Sequence, residues 1–242
     1  MFKALQNSLL SVVYPQACTA CAGQVEDFRD GVACGECWTA TRIFSGSEML
    51  CDKCGSYFAD TAAPIPVLCH KCDDHKYDKA AAVGVYEKAL SASVINLKTS
   101  PVLPKRLKAL IPKAVERAGF ADVDVIVPIP LSRQRHLERG FNQAEIIATV
   151  VSISIGVPVD RLSLTRSRHT PMHRVAMDNK ARELTVQNAF KVARPKLIAG
   201  KAILLVDDVF TSGATASNCA RVLKKNGARQ VNIFTLARAV MN

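Results

Sequence analysis

Residues 203–215 read I-L-L-V-D-D-V-F-T-S-G-A-T. Ile203, Leu204, Leu205 and Val206 form the kind of apolar run that is buried in a parallel strand. Asp207 and Asp208 follow where that strand should end, and small hydroxyl residues open the next helix. Backbone N–H groups of Thr211, Ser212, Gly213, Ala214 and Thr215, with the hydroxyls of Thr211, Ser212 and Thr215, can surround a phosphate at a helix N-terminus. Gly213 lets the backbone come close to it. The two carboxylates can accept hydrogen bonds from vicinal hydroxyls of a ribose, directly or through Mg²⁺. An Asp-Asp doublet alone is usually a solvated turn. The whole string points to a phosphorylated sugar.

Eight of the nine cysteines fall in four Cys-x-x-Cys pairs: Cys18/Cys21, Cys34/Cys37, Cys51/Cys54 and Cys69/Cys72. A two-residue gap lets both thiolates of a pair face one tetrahedral ion about 2.3 Å from each sulfur. The expected grouping is Cys18, Cys21, Cys34 and Cys37 around one zinc, with Cys51, Cys54, Cys69 and Cys72 around another. Crossed pairing would use the same residues and stays open. His70 and His75 are alternative ligands, read here as bystanders. A disulfide framework would need an oxidising compartment. The N-terminal apolar stretch, interrupted at Gln6, Asn7 and Ser8, lacks a signal-peptide layout. With no transmembrane run, the expectation is a cytoplasmic protein without membrane insertion. Cys219, among Ala216, Ala220 and Val222, reads as a small buried hydrophobe.

The formal charge of +11 is unevenly spread. Residues 1–78 hold 6 Lys and Arg against 10 Asp and Glu, whereas residues 79–242 hold 26 against 11. One pyrophosphate needs about three or four cations. The remaining surplus favours a polyanionic partner such as single-stranded DNA, through Coulomb attraction and counterion release. Two stretches supply candidate contacts. Leu131, Ser132 and Arg133 begin a basic loop, continued by Arg135 and Arg139, directly after the apolar run 123–130. Parallel sheets bind ligands at such carboxyl ends. Residues 165–190 form a long polar segment with Arg166, Arg168, Arg174, Lys180 and Arg182, and loops of that length are usually functional. His169 and His173 within it read as surface residues. Aromatic residues make up only 6% of the chain, so phosphate contacts should outweigh base stacking.

Phe2, Leu5, Leu9, Val12 and Val13 predict a short N-terminal helix that stops near Pro15. Residues 18–78 have little apolar periodicity and should depend on metal for their fold. The expected division is residues 1–78, a helix and metal module, and residues 79–242, an α/β domain. Ala81, Val83 and Val85 predict a first strand, and Leu103, Leu107, Leu110, Ile111 and Val115 a helix. Further strands are expected at 123–130, 162–165, 202–206 and 230–236, and helices at 142–152 and 215–225. Alternating elements imply a parallel sheet flanked by helices, with right-handed crossovers.

The 203–215 string resembles the phosphoribosyl-pyrophosphate (PRPP) signature of type I phosphoribosyltransferases, and every defining position matches. In that likeness the stretch 131–143 stands at the position of the pyrophosphate loop, with Leu131, Ser132 and Arg133 as its ligand contacts, and 165–190 is a mobile loop closing over PRPP. Purine-specific members carry an aspartate where this chain has Thr211, and threonine cannot serve as a base near neutral pH, which weighs against purine salvage. The cysteine pairs, Arg139-Gly140-Phe141-Asn142-Gln143, the basic loop and the PRPP signature, in this order, resemble the ComF family. Departures lie in the basic loop, where His173 and Thr185 replace the usual glutamine and asparagine. The likeness implies an N-terminal double zinc ribbon, a PRPP site that uses Mg²⁺, and a role in natural transformation beside competence-machinery proteins. A chain ending soon after its last strand leaves no hood over an acceptor, a place the ribbons are expected to fill. Three readings compete: a competence factor that binds PRPP and single-stranded DNA, an active phosphoribosyltransferase, and a zinc-dependent adaptor with a vestigial pocket.

Overall fold

The computed structural model describes residues 15–59, 67–120, 122–166 and 189–240. Residues before 79 hold the short helix α1 (Gly35–Thr39) and a hairpin of β1 (Met49–Leu50) with β2 (Tyr57–Ala59). Strands and helices then follow as β3 (Lys79–Val85), α2 (Lys88–Asn96), α3 (Lys105–Ala118), β4 (Val125–Pro128), α4 (Arg133–Arg139) and α5 (Gln143–Ile155). β5 (Leu164–Arg166), β6 (Phe190–Val192), β7 (Ala202–Phe210), α6 (Ala214–Lys225) and β8 (Gln230–Arg238) complete them. β3, β8, β7 and β4 form, in that order, a four-stranded parallel sheet. β5 and β6 make a small antiparallel pair.

Side chains alternate across a strand, so the central strands feed two cores. Leu204 and Val206 of β7 join Leu90, Leu107, Ile111, Ile147 and Val151 of α2, α3 and α5 on one face. Ile203 and Leu205 join Cys219, Ala220 and Leu223 of α6 on the other. Burial on both faces explains the unbroken apolar run at 203–206. The two cysteine quartets follow this division. Cys18, Cys34 and Cys37 pack with the α2 and α3 side, and Cys51, Cys54 and Cys72 with the α6 side.

β3 is an edge strand, and the segment before it covers that edge. The Phe44 amide donates to the Val83 carbonyl at 3.0 Å, Val85 to Arg42 at 2.9 Å and Ala80 to Lys53 at 2.7 Å. Arg117 of α3 donates to the carbonyls of Phe44 and Ala82, joining cover to strand. A Cβ at Gly84 would overlap the Arg42 carbonyl, so glycine is what permits this approach.

Two expectations change. β7 does not stop before the carboxylates: Asp207 pairs in register with Thr235 and Phe210 with Arg238. The stretch after 131 is not a loop throughout. Arg133–Arg139 is helical, capped by the Ser132 hydroxyl, which accepts from the Arg135 amide at 3.4 Å, and closed by left-handed Gly140. The expected N-terminal helix and most of the 165–190 segment lie outside the described residues.

Candidate functional site

Asp207 and Asp208 are successive residues of an extended strand, so they leave opposite faces of β7. Asp208 lies toward α5, where the Gln143 side-chain amide donates to its Oδ2 at 3.3 Å. Burial, and then the charge of Asp208, pushes the Tyr86 phenol up. Asp207 lies toward α6. Burial first, and then repulsion from Asp208, pushes its carboxyl up to about 8, while Arg166 opposes the shift. Backbone amides fix the pair, Asp208 donating to Asp207 Oδ1 at 2.9 Å and Val209 to Asp208 Oδ1 at 2.8 Å.

The turn after β7 is short. Thr211 is exposed and Ser212 half-buried, and Gly213 caps α6 with φ of +79°. Ser212 Oγ accepts from the Ala214 amide at 3.4 Å. Asp207, Thr211, Gly213, Thr215 and Thr235 line a cavity of about 40 Å³ here. A Cβ on Gly213 would lie 2.6 Å from Phe210 Cζ and 2.8 Å from His75 Cε1, so glycine is required by space as well as by φ.

The basic residues separate by position. The charges of Arg135 and Asp207 both act on Arg166, Arg135 by repulsion and Asp207 by attraction. Arg166 is half-buried over the Phe190 ring at 5.2 Å, and burial, then Arg135, lowers its pKa. It therefore belongs with the carboxylates more than with an outer face. Leu131 is half-buried and Ser132 buried, whereas Arg133 is exposed and Arg139 half-buried on α4. Arg168, Arg174, Lys180 and Arg182 lie outside the described residues.

The eight cysteines form two groups as spacing suggested: Cys18, Cys21, Cys34, Cys37 and Cys51, Cys54, Cys69, Cys72. Sulfur separations are 3.7 Å for Cys18–Cys37, 3.6 Å for Cys21–Cys34, 3.7 Å for Cys51–Cys72 and 3.5 Å for Cys54–Cys69. Four sulfurs about 2.3 Å from one ion stand about 3.8 Å apart, so both groups fit tetrahedral zinc. Backbone amides point at the sulfurs, Cys34 to Cys18 at 3.3 Å and Cys69 to Cys51 at 3.4 Å. Burial works to raise the Cys18 thiol, yet amides led by Cys34 outweigh it and leave it at about 6. Amides of Cys54 and Cys69 likewise overcome burial at Cys51, leaving about 7. His70 is fully exposed beside Asp73, and His75 Nδ1 pairs with the Tyr77 hydroxyl at 2.7 Å, so neither enters a cluster.

The family model for the phosphoribosyl transferase domain matches residues 96–240, and that for the double zinc ribbon domain matches residues 9–74. The chain belongs to the phosphoribosyl transferase domain family and carries a double zinc ribbon domain ahead of that domain. It is similar to DNA utilization protein YhgH of Escherichia coli K12, 29% identical over 86% of this chain and 90% of that one. Competence protein F of Haemophilus influenzae is 28% identical over 92% of this chain and 96% of that one. Competence protein ComFC of Bacillus subtilis is 33% identical over 48% and 45%. Among solved structures, the B. subtilis glutamine PRPP amidotransferase complexed with ADP and GMP aligns with TM-score 0.36 and 18% identity. The alignment covers 60% of this chain and 26% of that chain. No described helix is long and apolar enough to cross a membrane.

Two residues at the site escaped sequence reasoning. Gln143 stood inside the Arg139–Gln143 motif without a role, and its partner Asp208 is distant in sequence. Arg238 carried no signal, being the last residue of an apolar strand.

Proposed function

We propose that this protein binds PRPP with Mg²⁺ at the carboxyl edge of β7 and single-stranded DNA on its basic surface, as a competence-type factor handling incoming DNA in the cytoplasm. The observation that supports this best is the placement of Asp208, Asp207 and the Gly213 turn together at the end of a central parallel strand. The printed names of the relatives, a DNA utilization protein and competence proteins, support the nucleic-acid part. In this reading Thr211, Ser212, Gly213, Ala214 and Thr215 hold the 5-phosphate, and Asp207 and Asp208 hold the ribose. Leu131, Ser132 and Arg133 face the pyrophosphate. Bound Mg²⁺ would neutralise pyrophosphate charge, and the hard carboxylate oxygens of the doublet suit it. Residues 1–78 act as the metal module and 79–242 as the sugar-phosphate domain, with competence-machinery proteins as partners.

The test is calorimetric titration of the zinc-loaded protein with PRPP and Mg²⁺, repeated with a DNA oligonucleotide present. Binding should be saturable and should fall at least about tenfold in Asp208→Asn. No heat with the wild-type protein would remove the sugar-phosphate reading. The intact acidic doublet also favours an active phosphoribosyltransferase, in which Arg133 and Arg166 stabilise departing pyrophosphate. Pyrophosphate release with a base or amine acceptor, lost in Asp207→Asn/Asp208→Asn, would establish that activity.

A further inference from the structure

We infer that Arg238 is a positioning residue that ties the second four-cysteine site to the underside of the sugar-phosphate turn, so that zinc held there and ligand held on the turn strengthen each other. The ligand half of this inference rests on the pocket reading above.

Arg238 is 6% exposed and pairs in register with Phe210 at the end of β7. Its Nη2 donates to Cys54 Sγ at 3.4 Å, and its guanidinium lies 4.1 Å from the Phe210 ring centroid. Among the described residues its Nε and Nη1 have no hydrogen-bond partner. Burying such a cation is costly unless negative charge stands beside it. Zinc with four thiolates carries a net charge of about −2, and that charge is what the arginine faces.

From Arg238 the contacts run directly to the turn. Phe210 precedes Thr211 and lies between Arg238 and Tyr77, whose ring meets it edge-on at 5.7 Å. Phe210 also fills the space beneath Gly213. A second route starts at Cys72, whose carbonyl accepts from the His75 amide at 3.1 Å, and the His75 ring lies under Gly213. Lys76 then donates from its amide to Ser217 Oγ on α6 at 3.1 Å. The first four-cysteine site packs on the opposite face, against α2 and α3, and serves as an internal control.

Coupling between two sites must be reciprocal. The experiment times zinc release from the full-length protein to a chromogenic chelator, with and without saturating PRPP and Mg²⁺, after calorimetry on the same sample. One zinc equivalent should leave about tenfold more slowly with ligand, while the other keeps its rate. Cys69→Ser assigns the protected equivalent. Arg238→Met should speed that equivalent and abolish its protection, and Arg238→Lys should restore only part. Global stabilisation would slow both equivalents alike, and that result, or unchanged rates with ligand bound, overturns the inference. If Arg238→Met fails to fold, the wild-type comparison still decides. If PRPP does not bind, the pocket reading and the ligand half fall together. The arginine–zinc tie is then judged by Arg238→Met alone: faster loss of one equivalent supports it, and equal rates overturn it.

Discussion

Asp207 carries an opposition that Arg166 only partly relieves. Its carboxyl binds a proton more tightly in the folded chain than in the unfolded one, with a folded pKa of about 8. The stability tied to that proton is complete below the ordinary carboxylate value near 4 and is lost as pH rises through about 8. Asp207→Asn should therefore leave stability unchanged at pH 4 and raise it at pH 8. The gain should be about 1–2 kcal/mol, since the residue keeps some contact with solvent. Thermal unfolding followed across that range checks it, with a shift of about 2–6 °C at the upper end. A gap that did not change with pH would mean burial is not what holds the proton. The doublet itself was plain in the sequence. That its members face opposite sides was not, because the continuation of β7 to Phe210 is set by pairing with β8, a partner more than twenty residues away.

Among the strands of the parallel sheet, β3 is the one whose edge is covered by the cysteine-rich segment. Its backbone donors at Ala80 and Val85 are satisfied by Lys53 and Arg42, which belong to the cysteine-rich segment. Stripping zinc should expose those amides, so hydrogen exchange at Ala80 and Val85 should accelerate at least about tenfold while Leu204 and Leu205 of β7 stay protected. Equal protection with and without metal would show that the cover holds by packing alone. The cysteine pairs could be read from spacing, because a two-residue gap has few other uses; which two pairs share an ion is fixed by the structure. The covering of the edge could not, since it rests on backbone hydrogen bonds and on Gly84. α4 was missed because its buried set is empty, which left no apolar period to read; only Ser132 and Gly140 marked its ends.

Across the whole molecule, charge is divided between an acidic first third and a strongly basic remainder. Affinity for single-stranded DNA should fall about 10–50-fold between 50 and 200 mM salt if about three or four phosphates are neutralised. Replacing Arg133, Arg135 and Arg139 with alanine should lower both affinity and that slope in an anisotropy titration. An unchanged slope would place the DNA path elsewhere. The charge surplus was legible from composition, but the half-burial of Arg166 over the Phe190 ring, with its charge acting on Asp207, was not.

One consequence concerns synthesis in the cell. The residues that shield β3 leave the ribosome before β3 itself, so the guard is made ahead of what it protects. A chain made during zinc shortage could still complete β7 and β8 while leaving a sticky flank open to other nascent chains. Metal supply would then set how much protein survives, before any question of what the survivors bind.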